Sequence, residues 1–232
     1  MCLVAEGADA DVGADLEAAP EAFIRAHTSL RAVPLVPEVS LYLHDRPFDI
    51  WSETKVARGG ELGLPLPYWA FAWAGGQALA RFVLDRPEFV RGREVLDVAS
   101  GSGLVAIAAM LAGAARATAN DIDPFAAASM RVNAEANGVR LDVSCEDLLG
   151  RDDVIPSVLL VGDAFYEQPL AEAILAFAAR LHGLGITVLC ADPGRPYFAS
   201  EGFEAVAEYD VPVPRELEDT EVKRTRIWRM GE

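Results

Sequence analysis

The chain reads as an α/β protein: a doubly wound sheet of seven strands, mostly parallel, with helices on both faces and an antiparallel last strand. Three observations predict it. After Gly92, short apolar runs alternate with helical patterns, the order that a parallel sheet with crossover helices requires. A glycine-rich turn, "ASGSG", separates the first of those runs from the first of those helices. The rhythm breaks only near the end, where "FEAVAEYDVPV" and "VKRTRIWRM" follow each other with a loop between them. Two consecutive strands closing an alternating sheet predict an antiparallel hairpin at its edge.

Each element has its own signal. Apolar spacing at Leu16, Ala19, Phe23, Ile24 and Leu30 predicts an amphipathic helix from Asp15 to Leu30. "EVSLYLHDRPFDIW" alternates at Val39, Leu41 and Leu43 and predicts two short strands turning at "DRP". The Pro-bounded aromatic segment "LGLPLPYWAFAWAGG" leads into a helix from Gly76 to Leu84. In the alternating part, "EVLDVA", "ATAND", "LDVSC", "VLLVG" and "ITVLCAD" read as strands. "LVAIAAMLAGA" is a helix ending at Gly113, and "PFAAASMRVNAEANG" has Pro in its first turn and Gly138 as its stop. "PLAEAILAFAARLHG" is the third helix of this part. Residues 1–64 are expected to form an N-terminal extension packed on a domain spanning residues 65–232.

Composition narrows the function. With 232 residues and 52% hydrophobic content the chain can build a sizeable core. The net charge is −16, with Lys55 and Lys223 the only lysines, so the field repels nucleic acid and favours a basic partner. No apolar run is long enough to span a membrane. No basic residue precedes Arg25, which argues against a secretory or transit segment, and a monomer in a reducing cytoplasm is expected. Cys2, Cys145 and Cys190 form no CxxC pair, and the last two read as small core residues. His27, His44 and His182 lack metal-ligand spacing, so no metal site is expected.

The first candidate site is the turn in "VLDVASGSG". Small residues there (Ala99, Gly101, Ser102, Gly103) let a ligand approach the backbone, and the following helix offers free N–H groups. Asp97, inside the strand, would oppose a pyrophosphate at the helix start, but suits a ligand with an amino group, such as the methionine moiety of S-adenosylmethionine. Asp121, ending the next strand, is placed to accept from both hydroxyls of a ribose, and Ile122 beside it to pack on adenine. Glu146 and Asp147 end the third strand, where an adenine amino group would lie. Taken singly, Glu146 reads as a solvated acid and Asp123 as a helix N-cap. Three acids, Asp97, Asp121 and Asp147, at the same end of three successive strands, read as one ligand site.

"VLDVASGSG", "ANDIDP", "GDAFYE" and "DPGRPYF", in that order, resemble the class I seven-strand methyltransferases, Rossmann-like enzymes, and among them methyltransferase family 16. The resemblance covers residues 65–200 and implies an S-adenosylmethionine-dependent N-methyltransferase acting on a lysine-bearing protein substrate. One departure is Ala99, which stands where the family usually has glycine and is tolerated if its φ is negative. "DAFY" matches the family's D-x-x-Y motif, which holds the substrate lysine, so Asp163, Phe165 and Tyr166 become the catalytic candidates. A carboxylate can anchor an ammonium, and aromatic rings suit its stem and cationic head. Phe165 serves equally well as packing under the next helix. Trp69 and Trp73 precede the domain, and Trp73 matches the family better as a cover for the cofactor. Arg195 either orients substrate or caps a loop. The rival readings are an N-methyltransferase of free amines, a lysine methyltransferase of a ribosomal protein, a binding module without turnover, and a nicotinamide dehydrogenase. Asp97 and Ala106, standing where a third glycine would be, speak against the last.

Overall fold

The computed structural model describes residues 20–57, 66–218 and 220–231. Its N-terminal part departs from the pattern just read. Helix α1 spans Pro20–His27, strand β1 Ser29–Val33, strand β2 Val36–Leu43 and helix α2 Pro47–Ala57. The helix expected from Asp15 to Leu30 therefore ends at His27, and its first five residues lie outside the described ones. The backbone N–H of Thr28 donates to Ile24 O, and its hydroxyl donates to the same carbonyl, which closes the last turn. Leu30 is in the following strand and exposed.

The predicted hairpin exists, but one strand earlier than expected. β1 pairs antiparallel with β2, Ser29 opposite Leu43, and the chain reverses at Pro34 and Leu35 instead of at "DRP". Two residues between paired strands make the tightest reversal available. Pro47 instead opens α2, where its missing N–H costs nothing. Val39 and Leu41 are fully buried, as their alternation predicted.

Seven strands follow: β3 (Glu94–Val98), β4 (Arg116–Asn120), β5 (Asp142–Ser144), β6 (Val158–Val161), β7 (Thr187–Asp192), β8 (Phe203–Pro212) and β9 (Val222–Met230). They form one sheet in the order β5-β4-β3-β6-β7-β9-β8. β9 runs antiparallel to both of its neighbours, and β3 to β7 pair in parallel. Helices α3 (Ala74–Asp85), α4 (Leu104–Leu111), α5 (Pro124–Ala136), α6 (Gln168–Gly183) and the short α7 (Arg215–Glu218), with single 3-10 turns at Tyr68–Ala70 and Pro87–Phe89, complete the described elements. The order reverses between β3 and β6, so the ends of these two strands diverge into a crevice.

Strand periodicity of two sorts the core into two halves. Val95, Val158 and Leu160 pack with α3, α4, α5 and the N-terminal hairpin, whereas Leu96, Val98, Leu159 and Val161 pack with α6. Cys190 joins the second half and is buried, but Cys145 is exposed, contrary to the expectation of a core residue. β5 is only three residues long and leaves Cys145 just beyond it. No described helix is long and apolar enough to cross a membrane. The boundary expected between residues 64 and 65 lies outside the described residues. On its near side, Phe23, Ile24, Val33, Val36, Val39, Leu41 and Ile50 belong to the same core as α3 to α5.

Two asparagines, Asn133 in α5 and Asn137 at its C-cap, fasten the hairpin to the domain. Asn137 accepts from Ser40 N–H at 2.9 Å and donates to Ser40 O at 2.6 Å, so its amide imitates a neighbouring strand. Asn133, fully buried, accepts from Tyr42 N–H at 2.8 Å and donates to Ser102 O at 2.8 Å, linking β2 to the glycine-rich turn. Asn133→Ala strands a backbone donor and a backbone acceptor, and is expected to cost about 2–3 kcal/mol of stability. A urea denaturation midpoint indistinguishable from wild type would contradict this account of the hairpin.

Candidate active site

A cavity of about 650 Å³ opens at the C-terminal edge of the parallel strands. Val98, Asn120, Asp147, Gly162 and Arg195 each contribute to its wall from behind a different strand. One end is polar and acidic, the other aromatic.

At the acidic end, Asp97 shares the parity of Val95 and points to the α4 side. Its Oδ2 accepts from Ser100 Oγ and, at 3.2 Å, from Ala106 N–H. Its Oδ1 is buried with no hydrogen-bond partner, and burial pushes the carboxyl up to about 7. The turn that follows needs left-handed backbone at three places: Ala99 (φ +50°), Gly101 (+54°) and Gly103 (+84°). The negative φ expected for Ala99 is therefore not found. An L-residue in that region carries roughly 1–2 kcal/mol of strain, held in place by the turn around it. At Gly103 the constraint is also steric, since a Cβ would stand 3.4 Å from Met130.

Asp121 braces the same turn. It accepts from Gly101 N–H at 3.0 Å and from Asp123 N–H at 3.0 Å, and burial raises its pKa. Asp123 caps α5 by accepting from Phe125 N–H, as its sequence position indicated. Ile122 is 70% exposed at the cavity mouth, and Asp147, also exposed, accepts from Leu149 N–H at 3.1 Å. Glu146 turns outward to pair with Arg151. Asn120, which the sequence reading passed over, is buried and donates to Ser144 O and Glu146 O, tying the end of β4 to the chain leaving β5.

The aromatic end is built from two segments. Tyr68 and Tyr166 face each other with ring centroids 4.8 Å apart, and Trp73 donates from Nε1 to Tyr68 O at 2.9 Å. Burial raises the pKa of both tyrosines. Trp73, not Trp69, is half-buried; Trp69 is 1% exposed and stacks on Phe125, although its edge still reaches the cavity. Phe165 does not join this group. It is fully buried against Phe198 under α6 and lies outside the cavity lining, because neighbouring residues 165 and 166 point to opposite sides of the chain.

Asp163 lies between the two ends, and it is not a free carboxylate. Arg195 donates from Nε to Oδ1 at 2.7 Å and from Nη2 to Oδ2 at 2.9 Å, and Gly75 N–H donates to Oδ2 at 3.0 Å. The other edge of the same guanidinium donates to Glu218 at 2.5 and 3.0 Å. Sequence reading missed Glu218 entirely, and it left Arg195 between orienting substrate and capping a loop; in the structure Arg195 bridges Asp163 and Glu218. Gly75 must be glycine, since a Cβ there would stand 2.7 Å from Gly162 O. Among the described residues no cluster of His, Cys, Asp and Glu could hold a metal ion.

Comparison with known proteins places this geometry. Residues 79–160 match the family model of ribosomal protein L11 methyltransferase. A Xenopus laevis electron transfer flavoprotein beta subunit lysine methyltransferase is 38% identical, over 90% of this chain and 86% of its own length. The chain belongs to the electron transfer flavoprotein beta subunit lysine methyltransferase family. The Homo sapiens member is 33% identical over 93% of this chain and 84% of its own length. Among solved structures, a candidate RNA methyltransferase of Pyrococcus horikoshii shares the fold with a TM-score of 0.54 and 16% identity, over 73% of this chain and 90% of that one. Membership makes the chain an S-adenosylmethionine-dependent methyltransferase of protein lysine.

For a methyltransferase of this family the buried acid of the turn is a liability until its ligand arrives. Asp97 holds its proton more tightly folded than unfolded, from an ordinary value of 3.8 up to about 7. Its contribution to stability therefore falls as pH rises through that window and is fully unfavourable above it. In the cofactor-free protein, Asp97→Asn is expected to raise the melting temperature at pH 8 and to lose that advantage towards pH 5. Thermal unfolding at the two pH values measures this, and a variant that melts lower than wild type at pH 8 would refute it.

Proposed function

We propose that the enzyme methylates a lysine of the electron transfer flavoprotein beta subunit, and that the cavity is where both substrates meet. One observation carries the choice of target. The match to ribosomal protein L11 methyltransferase ends at residue 160, before Asp163, Tyr166, Arg195 and Glu218. The relatives named for the flavoprotein subunit cover 84–94% of this chain in five vertebrate examples. The part beyond residue 160, which these relatives cover and the L11 match does not, is where we place what is specific to the acceptor. The −16 charge fits a monomeric enzyme working in the cytoplasm on a protein, not on nucleic acid.

The cavity residues fit S-adenosylmethionine. The buried Oδ1 of Asp97 lacks a donor, which an amino group would supply. Backbone N–H groups at the start of α4 and the turn Ala99, Gly101, Ser102 and Gly103 would hold the methionine part, with Trp73 beside it. Asp121 and Ile122 would hold the ribose and adenine, and Asp147 the adenine amino group. The cofactor supplies an electrophilic methyl group on a sulfonium. Asp163 and Tyr166 would hold the acceptor lysine at the aromatic end, and Phe165 supports them from the core.

Pairing changes how Asp163 acts. Its two oxygens offer about four lone pairs; Arg195 and Gly75 take three of them. The remaining one can accept an N–H from a neutral amine and leave the nitrogen lone pair free to attack. This is positioning, worth far more than the weak pull of a paired carboxylate on an ammonium.

The direct test combines purified enzyme, flavoprotein beta subunit and radiolabelled S-adenosylmethionine, with the labelled peptide identified by mass spectrometry. Label on a lysine of the subunit is expected; a subunit left unlabelled while other lysate proteins are modified would redirect the assignment. Asp163→Asn should leave cofactor affinity unchanged and slow methyl transfer by about 100-fold. Asp121→Ala should weaken cofactor binding by about 1–3 kcal/mol, read by calorimetry.

A further inference from the structure

We infer that Arg195 is a positioning residue that keeps the acceptor amine neutral, and that Glu218 and Lys223 set how strongly it does so. The inference rests on the reading of Asp163 and Tyr166 as the acceptor end of the cavity. Arg195 lines that end. Its guanidinium cannot lose its proton, and it is largely buried, with a side-chain exposure of 17%. The partners on either edge are more deeply buried still: Asp163 at 4% and Glu218 at 3%. Lys223 Nζ, on β9, stands 3.5 Å from Glu218 Oε2 and is 29% exposed.

Counting the charges shows what an arriving lysine meets. Asp163 and Glu218 are negative, Arg195 and Lys223 positive, and the four together are neutral. Other groups face the site at greater remove. Asp192, the last residue of β7, accepts from the Gly194 and Arg195 N–H groups and feels the charges of Asp163 and Arg195. Glu167 and Tyr166 come from the start of α6, and Tyr68 and Trp73 from the segment before α3, with Arg195 6.0 Å from the Trp73 ring centroid. Asp97 and Asp121 belong to the cofactor end.

An ammonium entering this end leaves water for a carboxylate whose charge is already paired with a fixed cation, with Glu167 and Asp121 standing further off. Desolvation and the fixed cation favour the neutral form, and the proton leaves to bulk water before the nitrogen attacks. A free Asp163 would do the opposite: it would hold the ammonium well and thereby hold back the nucleophile. Glu218 tempers the device: without it, the charge of Arg195 would be shared with Asp163 alone.

The pH dependence of the turnover rate separates this role from a merely structural brace, because its acid limb reports deprotonation of the bound amine. The assay measures methyl-lysine formed in a lysate of cells lacking the enzyme, so that it does not depend on which protein is the target. Arg195→Gln should move the acid limb up by about one pH unit, with activity reduced by up to about tenfold at pH 7 and recovered at pH 9. Glu218→Gln should move it down by a similar amount. Arg195→Lys, which keeps the charge and loses the fork, should lower the plateau and leave the limb in place. Should Arg195→Gln fail to fold, Lys223→Gln, at the half-exposed end of the chain of charges, should still move the limb up by a smaller amount. Limbs that coincide with wild type in Glu218→Gln and Lys223→Gln, with plateaus lowered or not, would overturn the inference. A wrong target would show instead as label on a different protein, with these shifts intact.

Discussion

Four segments distant in sequence meet on one guanidinium. Arg195 follows β7, Asp163 follows β6, Glu218 lies between β8 and β9, and Gly75 at the head of α3 donates to the same carboxylate. Burying three charges is costly, and only near-complete pairing makes it tolerable. That demand ties the loops after β6 and β7 to the β8–β9 connection and to the head of α3. The last of these has no slack, which is why position 75 excludes a side chain. The acceptor end is thus held by electrostatic pairing across elements, where a loop by itself would move.

The cofactor end is organised by the opposite principle. Asp97 and Asp121 are buried next to backbone N–H groups and beside no cation, and both have raised pKa values as a result. Carboxylates left short of partners are poor for stability and good for binding, because a ligand that supplies donors relieves them. One site therefore contains acids in two conditions: satisfied where the protein must hold its own shape, and unsatisfied where a ligand is to complete it. Asn133 couples the cofactor end to the N-terminal hairpin by touching both Tyr42 and Ser102.

Much of this was legible in the sequence. The alternation after Gly92 gave the strands and helices in order, and the positions of Asp97 and Asp121 marked the edge where the cavity opens. What could not be read were relations between segments. "DRP" carries strong turn residues, yet Pro47 starts a helix and Pro34 sits at the actual reversal, since proline suits both positions equally. Phe165 and Tyr166 are equivalent as letters and differ only in which side of the chain they face. Ala99 was judged by what alanine prefers, whereas the turn forces its φ to +50°. Glu218 gave no signal at all in "RELEDT", where a buried acid looks like any solvated one.

The place of β9 has a consequence for how the polypeptide is made. β9 comes later in the chain than β8, yet it takes the inner position, and β8 touches the sheet only through it. A nascent chain emerging from the ribosome can assemble β3 to β7 early, but β7 must then wait with an open edge while β8 hangs unpaired beside it. At roughly 5–20 residues per second the wait lasts some seconds. An open strand edge is a template for other chains, so this interval is when the protein is most exposed to aggregation. Glu218 also arrives in that interval, so Arg195 acquires its second carboxylate only as the last strand slots in. Pairing of Arg195 with Glu218 and closure of the sheet are therefore linked, because the connection that carries Glu218 leads directly into β9.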